Sequence, residues 1–154
     1  MIPDRVVELL HGPAFMQVGT RDAQLRPAHA FAVGAVVHGD RETITFFVPE
    51  ARSARTLSDL RDNGRVALGI GLASHEAYQL KGRYVSSRPT GGEDIALQET
   101  YRAKMLAAVR QVYPEEIARP LVLGVAYRPG VAITFRVEEV FLQTPGPGAG
   151  NRMA

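Results

Sequence analysis

Six segments of the chain carry the apolar, β-branched and aromatic residues that are typical of β-strands. These predicted strands cover residues 14–20, 27–37, 42–48, 66–70, 77–86 and 131–144. Only short polar turns, at residues 21–24 and 38–41, separate the first three strands. Strands joined by such turns pair antiparallel, so the pattern predicts an antiparallel sheet that most easily closes into a small barrel.

Three further segments show the spacing of amphipathic helices. A short first helix follows Pro3 and ends near Gly12, and a second covers about residues 53–62, where Asn63 and Gly64 suit a left-handed cap. A third predicted helix covers residues 93–113, because apolar residues recur there at helical intervals. The helices are therefore expected to flank the barrel and to plug its ends.

The last predicted strand changes its alternation part of the way along. Inward positions run in steps of two from Val131 to Val137 and then shift to Val140 and Leu142. One extra residue near Glu138 and Glu139 explains the shift, so a β-bulge is predicted there. The Pro/Gly-rich tail from residue 144 onward is predicted to be irregular.

Composition limits the classes of function. The chain has 154 residues and no cysteine, which predicts one domain and excludes disulfides, thiolate chemistry and Cys-based metal sites. The formal net charge of +2 is too balanced to indicate nucleic-acid binding. No signal peptide and no window of about 20 apolar residues is found. We therefore expect a cytoplasmic protein with no membrane partner.

The most informative chemistry lies where the third predicted strand gives way to a helix. Arg52, Ser53, Arg55 and Thr56 follow the strand end at Pro49 directly. A helix N-terminus offers free N–H groups and a favourable dipole, and guanidinium and hydroxyl groups bind phosphate oxygens. These residues are candidates for a phosphate site. An ordinary helix start with solvated arginines is the alternative that the spacing leaves open.

Other motifs carry weaker signals. Residues 69–74 nearly match a dinucleotide fingerprint, but a strand rather than a helix is predicted to follow, so the required context is missing. The four histidines are scattered without metal-ligand spacing, and His29 alone lies on a strand where it could face a ligand. Gln79, Lys81 and Arg83 share one face of a strand, and Gly82 between them indicates a close approach by backbone or ligand.

These pieces, taken in order, resemble the pyridoxamine-phosphate oxidase-like family of flavin-binding split barrels. The resemblance covers roughly residues 5–145 and is carried by four segments. They are the early strand pair (18–20 and 26–27), the strand end at 46–49, the helix start at 53–57 with residues 62–68, and the strand 79–83. It implies a six-stranded antiparallel split β-barrel of the Greek-key type in residues 1–145, with 146–154 as a tail.

The same resemblance implies a cofactor, a partner and a set of site residues. FMN would be bound by a homodimer with flavin sites at the subunit interface. Ser53 and Arg55 match the phosphate-binding pattern, with Arg52 and Thr56 assisting. Val48 and Pro49 would line the ring or ribityl chain, and Gln79 would contact the flavin. Backbone contacts would come from His29, Ala30 and Phe31, and Lys81 would steer an anionic substrate.

Departures from the family pattern bear on the substrate. True pyridoxamine-phosphate oxidases carry Arg-x-x-Leu-Leu-Lys on the second strand, where this chain has no lysine between Arg26 and Phe31. Their C-terminal arginine and histidine pattern is also missing. A flavin-dependent oxidoreductase other than a vitamin B6 oxidase is therefore expected. The alternatives are a non-enzymatic flavin binder or stress-response module, and the same fold with F420 or haem as the ligand.

Overall fold

The computed structural model describes all 154 residues, which form seven strands, four α-helices and one 3-10 turn. The strands are β1 (Phe15–Arg21), β2 (Pro27–Ala32), β3 (Ala35–Val37), β4 (Thr43–Pro49), β5 (Arg65–Gly71), β6 (Ala77–Pro89) and β7 (Gly130–Leu142). The helices are α1 (Asp4–Leu10), α2 (Ala54–Asn63), α3 (Gly92–Val109) and α4 (Glu115–Leu123), and the 3-10 turn is Glu50–Arg52.

All strand pairs are antiparallel, in the order β2-β1-β5-β6-β7-β4-β3. The prediction of six strands was wrong by one, because the long second strand breaks at Val33 and Gly34. Gly34 has a positive φ of 95°, which ends regular β geometry. The half before the break pairs with β1 and the half after it pairs with β4.

The core lies inside the curled sheet. Twenty-three buried residues form one cluster, which includes Phe46 and Phe135 in an edge-to-face contact with ring centroids 5.7 Å apart. Val6 and Leu10 of α1 belong to the same cluster and close it on one side. The interior is therefore filled by side chains, as in other small barrels, and any large ligand must bind outside it.

The predicted bulge in the last strand is confirmed, and so is the close approach at Gly82. The register between β6 and β7 pairs Lys81 with Glu139 but Gly82 with Val137, so Glu138 is the extra residue. A Cβ placed on Gly82 would lie 1.9 Å from the carbonyl oxygen of Arg136. It is the backbone of β7 that makes this approach, and only glycine leaves room for it.

The chain after α3 differs from the prediction. The third predicted helix ends early, at Val109, and α4 follows as a helix that the apolar pattern did not predict. Ala118 of α4 packs with Met105, Leu106 and Val109 of α3 as a second, smaller apolar cluster. These two helices form a layer outside the barrel and provide one wall of the groove described below.

The tail also has more structure than predicted. Residues 144–150 are bends and turns, but the chain then returns alongside β7, where Phe141 forms an isolated bridge with Arg152. The Met153 N–H donates to the Val140 carbonyl, and the Val140 N–H donates to the Ala154 carbonyl. The tail therefore extends the sheet next to the bulged end of β7. No helix combines the length and the hydrophobicity that a membrane span requires.

We expect Gly82→Ala to lower the free energy of unfolding by about 3 kcal/mol, because a rigid carbonyl rather than a flexible side chain opposes the new methyl group. Chemical denaturation followed by circular dichroism measures the change. Gly69→Ala is the matched control, since a Cβ there meets nothing nearer than 3.8 Å. Equal stabilities for the two variants would contradict this account of the bulge.

Candidate functional site

A groove with mostly apolar walls runs between the sheet edge at β2 and the α3–α4 layer. It has a cavity volume of about 360 Å³. One wall is the outer side of β2 with the end of β4, and the other wall comes from α3 and α4. The lining residues are Phe15, Met16, His29, Ala30, Phe31, Ala32, Val33, Pro49, Arg52, Tyr101, Arg102, Met105, Leu121, Val122 and Val125. Such a lining suits a flat, largely apolar ligand.

Five of the predicted site residues meet in this groove. His29, Ala30 and Phe31 come from β2, while Pro49 and Arg52 come from the end of β4 and the turn after it. The His29 and Phe31 rings contact edge to face, with centroids 4.7 Å apart, and Phe31 is 56% exposed. An aromatic side chain this exposed at the mouth of a groove is a suitable surface for a ring to pack on.

Arg52 brings a positive charge to the apolar groove. Its guanidinium makes no hydrogen bond or ion pair within the chain, whereas most arginines of this protein make at least one. The start of α2 lies directly after Arg52 and has no side-chain cap. Uncapped N–H groups and an unpaired guanidinium both favour an anion, so the end of the groove at Arg52 is suited to a phosphate.

Arg55 already has an anionic partner. Its Nη2 lies 3.1 Å from Oδ2 of Asp22, a carboxylate in the β1–β2 turn that also accepts a bond from Arg26 Nε at 2.7 Å. Partial desolvation alone would raise the pKa of Asp22, but the backbone and side-chain hydrogen bonds from Arg26 outweigh it and lower the pKa. Asp22 is therefore ionised and is the anion that pairs with Arg55 in this structure.

Three other predicted residues are buried. Ser53 is 0% exposed, and its hydroxyl donates to the Glu50 carbonyl at 3.0 Å, which stabilises the 3-10 turn. Thr56, in the first turn of α2, is 1% exposed, and Val48 belongs to the barrel core. The Ser53 hydroxyl could donate to a phosphate only after giving up its hydrogen bond to the Glu50 carbonyl.

The last two predicted residues lie elsewhere on the surface. Gln79 and Lys81 point outward from β6, and the register places them in the same rows of the sheet as Phe31 and His29. Three strand spacings, about 14 Å, separate the two pairs. Lys81 extends over the Phe141 ring, with Nζ 4.5 Å from the centroid. The structure therefore does not bring Gln79 and Lys81 into the groove of their own chain.

The prediction missed the whole helical wall. Tyr101 is held in place by a hydrogen bond from its hydroxyl to the Ala14 carbonyl at 2.8 Å, and burial raises the pKa of this phenol, which therefore stays neutral. Arg102 is fixed by its bond to the Leu123 carbonyl at 3.0 Å. The helical spacing of Tyr101 and Met105 was visible in the sequence, but nothing in it indicated which element this face would meet.

One polar side chain on this helix is unexplained by the fold. Gln98 is 0% exposed, and neither its amide nitrogen nor its amide oxygen has a hydrogen-bond partner in the chain. It lies one turn before Tyr101 and Arg102, on the same face of α3. No group of three or more His, Cys, Asp or Glu side chains that could bind a metal is present.

Solved structures share this architecture across nearly their whole length. An F420 reductase is 17% identical and superposes with a TM-score of 0.59 over 90% of this chain and 98% of its own. HupZ of Group A Streptococcus is 16% identical, with a TM-score of 0.58 over 97% and 100%. A candidate pyridoxamine 5'-phosphate oxidase of Lactobacillus delbrueckii is 14% identical, with a TM-score of 0.54 over 91% and 93%.

The comparisons show the fold. No family model matches the sequence, and no curated protein matches it. The likeness is therefore one of structure, and it confirms the pyridoxamine 5'-phosphate oxidase-like split-barrel fold expected from the ordered motifs.

We expect Gln98→Met to raise the free energy of unfolding by about 1 kcal/mol, because it replaces two unsatisfied buried polar atoms with a chain of similar shape. Urea denaturation measures the effect. Gln98→Glu is the control and is expected to destabilise, since it buries an unpaired carboxyl. Destabilisation by both variants would show instead that ordered water bonds the Gln98 amide.

Proposed function

We propose that this protein binds FMN in the groove between β2 and the α3–α4 layer and acts as a homodimeric flavin-dependent oxidoreductase. Residues 1–145 would supply the binding domain. The observation that carries the proposal is the joining of two chemistries in one groove. Apolar and aromatic walls suit the ring, and an unpaired guanidinium next to an uncapped helix N-terminus suits the phosphate.

The ring would lie against β2. His29, Ala30 and Phe31 offer both side chains and an edge-strand backbone, and Pro49 of β4 and Leu121 of α4 also line the groove. Because the barrel interior is full, the groove is the position that can exclude water from both faces of a flat ligand. The neutral Tyr101 hydroxyl is already bonded, so it leaves this wall effectively apolar.

The phosphate would lie at the start of α2. Arg52 is free to bind it at once, and Arg55 becomes available when the phosphate replaces the Asp22 carboxylate. Guanidinium groups bind phosphate oxygens in a bidentate manner, so the two arginines can share one dianion. In this arrangement Ser53 and Thr56 contribute mainly by holding the turn and the first helical turn in place.

A second copy of the chain would complete the site. Gln79 lies three strand spacings, about 14 Å, from Phe31 of its own chain, so a contact with a flavin beside Phe31 would come from a partner. The outer side of the sheet suits close packing, since it exposes Phe15 and Phe31 beside the small residues Gly69 and Gly71. This supports the homodimer with sites at the interface that the family resemblance implies.

FMN, when bound, supplies the electron-transfer chemistry, and the protein supplies placement and electrostatics. The groove lining contains one imidazole, that of His29, and no carboxyl group, so it offers no pair of such groups to act as a dedicated acid and base. A non-enzymatic flavin store has the same groove. Reduction of bound flavin by NADH or NADPH distinguishes the enzyme from the store.

The test is a titration of the purified protein with FMN, followed by flavin fluorescence and visible absorption. Arg52→Ala and Arg55→Ala should each lower the affinity about tenfold or more, because each removes a charge-assisted contact. Arg119→Ala on α4 is the control, since that arginine is 64% exposed and lies outside the groove. Absence of binding, or equal affinity in all variants, would contradict the proposal.

A separate variant tests the role of Asp22. Asp22→Asn keeps the oxygen that accepts the Gln24 and Arg26 N–H groups at 2.9 Å but removes the negative charge. We expect it to raise FMN affinity several-fold, because the phosphate no longer competes with a carboxylate for Arg55.

Parallel titrations with F420 and haem test the alternative ligands. Tighter binding of F420 or haem than of FMN would identify that compound as the ligand instead.

A further inference from the structure

A second concave site lies on the outer side of the sheet, at the opposite ends of the strands from Phe15 and Gly71. Arg21 of β1, Arg65 of β5 and Lys81 of β6 surround it, and its cavity volume is about 300 Å³. Gly19, Ala67 and Gly82 form its floor, and their small size is what makes the surface concave. We refer to Arg21, Arg65, Lys81 and this floor as the basic cleft.

The side chains that line the basic cleft carry three positive charges, on Arg21, Arg65 and Lys81, against two negative charges, on Glu138 and Glu139. Arg65 makes no ion pair or side-chain hydrogen bond, and Lys81 makes only its contact with the Phe141 ring. Arg21 bonds only the backbone carbonyl of Asp22, at 3.1 Å. The carboxylates on the far rim have other partners, since Glu138 lies 3.6 Å from Arg83 and Glu139 lies 3.3 Å from Arg152. The cleft therefore keeps an excess of positive charge.

The position of Arg65 is electrostatically unfavourable for the fold itself. It pairs directly across strands with Arg83, and Arg83 pairs in turn with Arg136, so three guanidinium groups lie in one row. Like charges directly opposite each other destabilise a sheet. Glu42 compensates Arg136 at 2.6 Å and Glu138 lies near Arg83, which leaves Arg65 as the member of the row without a counter-ion.

We propose that the basic cleft binds a small multivalent oxyanion, either a phosphate ester or a polycarboxylate. Two guanidinium groups and one ammonium line this concavity and can bind anion oxygens, and bound negative charge would offset the repulsion between Arg65 and Arg83. The cleft is distinct from the flavin groove, and this proposal does not rest on FMN binding. Three cations grouped at one concavity favour a small ligand over a polymer, which needs an extended stripe of charge.

The test is calorimetric titration of the full chain with pyrophosphate and with citrate at matched ionic strength. Both anions carry the required charge, and the tighter of the two identifies the ligand class. Arg65→Ala and Arg21→Ala should each weaken binding about tenfold. Arg119→Ala should leave the affinity unchanged. Acetate, with a single charge, should bind far more weakly than either probe.

Arg65→Glu gives a sharper readout. It should abolish binding of both anions and at the same time raise the thermal unfolding midpoint, because it places opposite charges in register with Arg83. A merely structural arginine would not separate stability from binding in this way. Titration of Arg65→Ala with FMN tests the groove independently, and an unchanged FMN affinity keeps the two sites distinct.

Four results would overturn the proposal. The first is that neither anion binds, and the second is that wild type and Arg65→Ala bind the anions equally. The third is Arg65-dependent binding of a single-stranded oligonucleotide that is tighter than binding of pyrophosphate or citrate, which would indicate a polymer surface. The fourth is conversion of a dimer to a monomer by Arg65→Ala without anion binding, which would show that the cleft binds carboxylates of a second copy.

Discussion

The whole architecture depends on two hydrogen bonds at the break between β2 and β3. The Val33 N–H donates to the Phe47 carbonyl at 2.7 Å, and the Phe47 N–H donates to the Gly34 carbonyl at 3.1 Å. They bring the end of β2 against β4, which is the last strand but one at the other end of the sheet order. These two bonds are where the curled sheet closes on itself, next to the groove at β2. Gly34 makes the transfer possible because its backbone adopts a positive φ.

The same break explains why the groove lies where it does. The chain leaves β1 after Ala32 and turns toward β4. No further strand therefore pairs with the free edge of β2. Tyr101 fills the space next to Gly34, since a Cβ placed on Gly34 would lie 3.4 Å from the Cβ of Tyr101. The α3–α4 layer thus packs against the break at Gly34 and leaves the apolar groove beside β2.

Much of the sheet could be predicted from local patterns. Alternation placed the strands, and the shift after Val137 located the bulge, because a period of two makes one inserted residue visible. The break at Gly34 was not predicted, since a single glycine in an apolar run is compatible with a continuous strand. Helix α4 was missed because Pro114 and Pro120 obscure a short apolar pattern that only tertiary packing with α3 stabilises.

The candidate site divides along the same line. The segment from Pro49 to Arg55 was identified from adjacent residues, because a strand end followed by a helix start is a local feature. Its opposite wall, at Tyr101 and Leu121, lies far away in sequence and needs the packed fold. The pairing of Arg55 with Asp22 also could not be read from the chain, since the turn that carries Asp22 reaches α2 only through the β1–β2 hairpin.

In the proposed phosphate site, that pairing would give the β1–β2 turn a role in selectivity. Because the Asp22 carboxylate already pairs with Arg55, an anion that binds Arg55 must compete with this carboxylate. A singly charged ligand only exchanges one negative charge for another and gains little, whereas a doubly charged ligand brings a net increase in attraction. In the proposed phosphate site, Asp22 would therefore act as a threshold on the charge of a ligand that binds Arg55.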